Sequence, residues 1–312
     1  MVRGFRDHPG LRAKSALGMV TDTLGPTDWL AGPGDDTAVV ESDGRLLLAA
    51  GEAIWPPFVQ VDPFGAGVAA VLANVNDVAA MGGRCLGLVD TVVGDEPTAR
   101  RALEGLRLGS GLYDVPVLGG HLTVREGPPA LSAFALGTAV APLSAGNAAP
   151  GQVLLAAYCL QGRLHRDFPF FASYRERGAR LPGDVELLAR LAEAGDCVAA
   201  KDVSMAGLLG SLAMLLEPTG VGVAVELGDV PRPAEVPLAT WTAVFPAFGF
   251  LLCAPPDRQG GCVRAFAERG LACRAVGVLD DTGALRVRLA GEEAVLLDPT
   301  LHAVTRLGRG TA

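Results

Sequence analysis

Between residues 45 and 140 short apolar runs alternate with longer helical patterns, and after residues 146–151 the alternation begins again. A chain patterned this way must cover sheets with helices, so it predicts α/β or α+β layers rather than a helical bundle or a β-sandwich. In the first half, strands are expected at residues 45–50, 86–93, 115–118 and 130–140, with helices at 65–81 and 97–113. In the second half, strands are expected at 152–158, 221–227, 248–254, 273–279 and 285–289. Helices are expected there at 184–194, 203–216 and 257–269. The linker Gly146-Asn147-Ala148-Ala149-Pro150-Gly151 divides the chain into domains of residues 1–145 and 150–312. Half of the 312 residues are hydrophobic and only 19% are charged, enough for each domain to bury a core.

Charge narrows the partners. The net charge of −8 argues against a nucleic acid held through its phosphates. It leaves room for a phosphorylated small molecule bound through metal ions and backbone amides. The six cysteines have no zinc-like spacing and mostly sit in apolar runs. They read as buried free thiols, which suits a cytoplasmic protein. Met1–His8 has no signal-peptide core, and the apolar stretch 68–81 is too short for a bilayer and carries Asn74, Asn76 and Asp77. No membrane partner is expected. The phosphate-binding signatures G-x-x-x-x-G-K-[ST] and G-x-G-x-x-G after a strand are missing.

Four polar motifs interrupt the apolar pattern. Gly34-Asp35-Asp36-Thr37-Ala38 follows an apparent turn at Ala31-Gly32-Pro33. Adjacent carboxylates repel, so they need solvent or a cation, and magnesium prefers carboxylate oxygens. A solvated turn fits the same residues. Asn74 and Asp77 lie three apart on one side of an apolar helix, where an unpaired carboxylate costs several kcal/mol if buried. Asp77 therefore faces water, a partner or a metal. Val117 leads into Gly119-Gly120-His121, a bend where a ligand could approach the backbone, or a plain loop. Lys201-Asp202-Val203-Ser204 reads as the opening of a helix, as a cap or as an anion site in which Lys201 adds charge. Lys14 and Lys201 are the only lysines.

In order and spacing, these motifs resemble the superfamily of aminoimidazole-ribonucleotide synthase, thiamine-monophosphate kinase, selenophosphate synthetase and the hydrogenase-maturation dehydratase. The resemblance runs through G-D-D-T-A at Gly34, N-V-N-D-V-A-A-M-G-G at Asn74, G-G-H at Gly119, K-D-V-S-M-A-G-L at Lys201 and P-T-G-V-G-V at Pro218. The segments 214–217 and 241–252 look most like an AIR synthase-related group that includes proteins such as methanogenesis marker 2. The resemblance implies a two-domain α/β (α+β) fold. Its N-terminal domain would close a β-barrel across two subunits of a homodimer, and its C-terminal domain would be an α/β sandwich.

For the site, the resemblance implies ATP and Mg2+ as cofactors, with Asp35, Asp36, Asp77 and Asp202 at the metal. Lys14, Thr37, Asn74, Asn76, Gly119, Gly120 and Ser204 would surround the nucleotide. Lys201 would contact phosphate, and His121 would accept a proton or touch the substrate. The implied activity is phosphoryl transfer to, or ATP-driven activation of, a small molecule. Departures from the family pattern favour a non-catalytic nucleotide-binding regulator or assembly protein as the rival. Ala50 and Gly51 replace a Thr-Asp pair, with Glu52 one place later. Met205 replaces an aspartate, and Pro246-Ala247-Phe248-Gly249 replaces a G-G-E-D motif. A structural dimer without nucleotide is the third reading.

Overall fold

The computed structural model describes residues 9–25, 30, 34–205, 207–298 and 303–307. The turn expected at Ala31-Gly32-Pro33, the segment Met1–His8 and the last five residues lie outside them.

The first half forms β1 (Ala38–Ser42), β2 (Arg45–Ala53), helix α1 (Pro63–Ala80), β3 (Gly83–Gly94), helix α2 (Glu96–Tyr113), β4 (Val117–Val124) and β5 (Ala130–Ala139). The strands make one sheet in the order β1-β2-β5-β3-β4. Only β3 and β4 pair in parallel, because α2 carries the chain back over the sheet between them. Burial alternates along β2 and β5 as a half-covered sheet requires. Leu48, Ala50, Leu131, Ala133 and Ala135 face the helices. Asp95 caps α2, accepting from Thr98 N at 2.9 Å, and Asp62 caps α1, accepting from Gly65 N at 2.8 Å.

The second half contains β6 (Val153–Tyr158), β7 (Arg163–Leu164), β8 (Phe170–Ala172), helix α3 (Leu181–Glu193), β9 (Ala199–Asp202), helix α4 (Gly207–Leu216) and β10 (Gly222–Glu226). It continues through β11 (Phe245–Pro246), β12 (Gly249–Ala254), helix α5 (Gln259–Glu268), β13 (Ala272–Asp280), β14 (Leu285–Leu289) and β15 (Glu292–Leu297). Seven strands form a sheet ordered β15-β14-β10-β13-β6-β12-β9, and β11-β8-β7 forms a small one. Central β6 and β12 are buried at every residue, since apolar clusters cover both faces of the large sheet.

Helix α1 positions the site. Fourteen of its residues are buried. It packs on β2, β3 and β5, on α2, and also on α3 and β9 of the second half. A helix enclosed on all sides reads as apolar all round. Of its polar residues, Asn76 reaches the second half and Asp77 lines a cleft between the halves.

Two local expectations fail. The helix expected at 203–216 begins only at Gly207, and Lys201-Asp202 ends a strand. The backbone of β9 pairs with β12, Lys201 opposite Leu251 and Asp202 opposite Phe250. Gly207 then takes φ +65° with its Cα so close to Thr242 that a Cβ would stand 2.3 Å from that carbonyl oxygen, so the position needs glycine. The loop expected at Gly119-Gly120 is absent as well, because β4 continues through it, with a register shift against β3 at Leu118. Gly120 lies against Asp90, where a Cβ would stand 2.6 Å from the carboxylate. That glycine makes room for a neighbouring strand.

Candidate functional site

A cleft of about 290 Å3 opens where α1, the β1–β2 region and β9 meet. Its polar wall carries Asp36, Asp77 and Asp202, and one carboxylate oxygen from each lies within 4.8 Å of the others. They come from the turn before β1, the last turns of α1 and the end of β9. No local sequence element holds two of them.

Adjacent aspartates do different work. The oxygens of Asp35 accept from Ser144 Oγ and Ala145 N, both at 2.6 Å, so this carboxylate ties the turn to the interdomain segment. It borders the cleft outside the metal-compatible triad. Asp36 points the other way. Its Oδ1 accepts from Lys201 Nζ, and its Oδ2 accepts from Asp202 N at 3.0 Å.

Burial sets the electrostatics. Asp77 is 6% exposed, and burial followed by the charges of Asp202, Asp36 and Glu52 pushes its pKa well above the carboxylate range. Burial and Asp36 raise Asp202 from 3.8 to about 7. Burial works against the charge of Lys201, but Asp36 and Asp202 outweigh it and its pKa is raised. The cleft thus gathers buried carboxylates that oppose one another's ionisation, an arrangement in which a cation would favour the ionised forms.

Of the other expected residues, Lys14, Thr37 and Ser204 line the cleft. The Thr37 hydroxyl is buried without a hydrogen-bond partner. Asn74 and Asn76 lie inside the packing. Asn74 Nδ2 donates to Ala70 O at 2.8 Å, one turn back on its own helix. Asn76 Nδ2 donates to Ala247 O at 3.1 Å, fastening α1 to the segment before β12. Gly119, Gly120 and His121 lie on edge strand β4, across the sheet from β1 and outside the cleft. His121 is exposed, 3.3 Å from Thr123 Oγ1. It is not placed to take a proton in this cleft.

The structure adds residues that motif reading left out. Glu52 lines the cleft with a pKa raised by burial. Its signal was present in the alternation of β2, since it falls on the inward face with Leu48 and Ala50. Thr305 and Leu307 also line the cleft. The Glu217 carboxylate accepts from Val304 N at 3.0 Å and from Thr305 N at 2.9 Å and Thr305 Oγ1 at 2.7 Å, and Thr305 Oγ1 in turn accepts from Leu307 N at 3.1 Å. Nothing in the local sequence announces that contact.

Two family models match this arrangement: AIR synthase related protein, N-terminal domain, over residues 34–139, and AIR synthase related protein, C-terminal domain, over residues 161–290. The chain belongs to the AIR synthase related family. The uncharacterized protein sll0787 of Synechocystis sp. is 32% identical over 275 residues, covering 87% of this chain and 85% of that protein. The structure of T. maritima PurL complexed with ADP superposes with a TM-score of 0.74 at 18% identity, over 87% of this chain and 46% of that one. AaThiL complexed with AMPPCP and TMP gives 0.68 at 17% identity, over 89% and 94% of the two chains. Both structures share the mixed α/β two-domain fold of the AIR synthase related chain. Among the described residues no helix is long and apolar enough to cross a membrane.

Proposed function

We propose that this AIR synthase related protein binds ATP with magnesium in the cleft and uses it to phosphorylate or activate a small molecule. The observation that carries this reading is the convergence of Asp36, Asp77 and Asp202 within 4.8 Å. An all-oxygen donor set suits a hard divalent cation that keeps phosphates and water as its other ligands. The unpartnered Thr37 hydroxyl and the nearby Lys14 fit phosphate oxygens. Nucleotides in the related solved structures support the same reading. When bound, magnesium supplies neutralisation of phosphate charge. The chain's own residues then position the reactants: Asp36, Asp77 and Asp202 hold the metal, Lys14 and Ser204 meet the phosphates, and Glu52 is the carboxylate left free to take a proton. The division between the two units falls in this reading at residues 145–150, and the buried thiols fit a cytoplasmic setting.

Calorimetry tests the reading: ATP binding that requires magnesium is expected, and binding of equal strength in EDTA contradicts it. The exposed Met205 beside Asp202 favours a second reading, a nucleotide-binding regulator without turnover. Magnesium-dependent binding with no ATP consumption across a metabolite panel would select it.

A homodimer is part of the proposal. The outward face of the first sheet carries Val40, Leu47, Val89, Phe134 and Leu136, each at least 37% exposed. An uncovered apolar sheet face of this kind marks an interaction surface. A second copy of the same face is the occupant that closing the sheet across two subunits requires. Light scattering at micromolar concentration is expected to give twice the 32.0 kDa chain mass. A monomer would count against it.

A further inference from the structure

Lys201 is set inside the acidic cluster. It is 5% exposed, its ammonium donates to Asp36 Oδ1, and Asp202 Oδ1 stands 3.9 Å away. The pairing of β9 with β12 fixes its backbone, and the adjacent Asp202 N–H takes the other oxygen of Asp36. Both oxygens of one metal-compatible carboxylate are thus engaged from β9 alone. Four carboxylates outside the Asp35 tether line the cleft, those of Asp36, Glu52, Asp77 and Asp202, against two ammonium groups, Lys14 and Lys201. Carboxylates outnumber ammonium groups there by two with Lys201 present and by three without it. Carboxylates this close and this buried need positive charge among them. A lysine ammonium is a compact point charge with three donors, able to bridge oxygens much as a bound ion does.

We propose that Lys201 is a built-in cation, its ammonium taking the place of a divalent ion between Asp36 and Asp202 and so keeping free metal out of the resting site. The proposal rests on the reading of the cleft as a magnesium–nucleotide site and deepens it by assigning how metal entry is controlled. Free divalent ions must compete with the ammonium for Asp36 and Asp202. Metal enters readily only when nucleotide phosphates bring further negative charge.

The test is a Mn2+ titration without nucleotide, by calorimetry and by thermal melting, on the parent, Lys201→Met and Lys201→Arg. Lys201→Met is expected to bind Mn2+ at least tenfold more tightly than the parent and to gain more melting temperature from it. Lys201→Arg, which keeps the charge, is expected to match the parent. Equal or weaker Mn2+ affinity in Lys201→Met overturns the proposal. If Lys201→Met is unfolded in EDTA, folding on addition of Mn2+ supports the proposal, and failure to fold with Mn2+ overturns it. Binding of Mn2+-ATP to the parent is measured separately. Its absence would sink the nucleotide reading, while the metal comparison would still decide the role of Lys201.

Discussion

Asp77→Asn is expected to weaken magnesium-dependent ATP binding by at least tenfold while raising the melting temperature of the metal-free protein. A tenfold loss corresponds to ~1.4 kcal/mol, a modest figure for removing one carboxylate ligand. The stability gain has a separate cause. Burial and the neighbouring charges of Asp202, Asp36 and Glu52 oppose ionisation of Asp77, and the neutral amide of similar shape removes that opposition. A ligand that supports binding and an unfavourable buried charge are one group in two states of the site. Calorimetry and thermal melts in EDTA read both effects from one preparation. Unchanged ATP affinity would remove Asp77 from the site, and a lower metal-free melting temperature would contradict the electrostatic argument.

The same electrostatics sets a pH dependence. Asp202 rises from 3.8 to about 7 in the folded protein. Between those values the folded state holds a proton that the unfolded state has released. The stabilising contribution is therefore fully present below about pH 4, is lost as pH rises to about 7, and changes little above. Magnesium favours the ionised form, so it is expected to flatten this slope in a melting series run with and without EDTA.

The largest loss of stability is expected from Asp184→Ala. Asp184 is fully buried at the start of α3 and accepts from Arg177 Nε at 2.7 Å, Arg177 Nη2 at 2.9 Å and Arg269 Nε at 2.5 Å. Arg177 is 2% exposed. Removing the carboxylate leaves a buried guanidinium without counter-charge, which costs about 3–5 kcal/mol. Urea unfolding of the variant reads that loss directly. The double variant Arg177→Met/Asp184→Leu is expected to recover much of it, because a well-packed apolar pair can replace a buried ion pair. A single variant within ~0.5 kcal/mol of the parent, the size of an ordinary surface change, would show that the pair does not hold α3.

The order of elements was legible because a sheet face and a helix stripe each leave a period in the sequence. α1, α2, β2, β3 and β5 stand where apolar spacing put them, with ends shifted by a few residues. Asp77 was legible too, as a carboxylate interrupting an otherwise apolar helix and in need of water, a partner or a metal. The shift of Lys201-Asp202 from helix to strand was not, because Ala-rich flanks suit either state and only pairing with β12 decides between them. Nor was the fate of Gly119-Gly120-His121. A glycine pair reads alike whether it admits a ligand or the Asp90 side chain.

By itself the sequence determined two α/β layers, a set of polar residues too costly to bury without a partner, and the family to which they belong. The tertiary structure decided which of those residues meet. It turned Asp36 into the cleft and Asp35 onto Ser144, drew Lys201 among the carboxylates, brought Glu52 in and left His121 outside. The physical reason is that periodicity assigns a side chain to a face of its own element only. A site built from a turn, a helix end and a strand end exists only once packing has brought α1 against β9, and that contact is long-range in the chain.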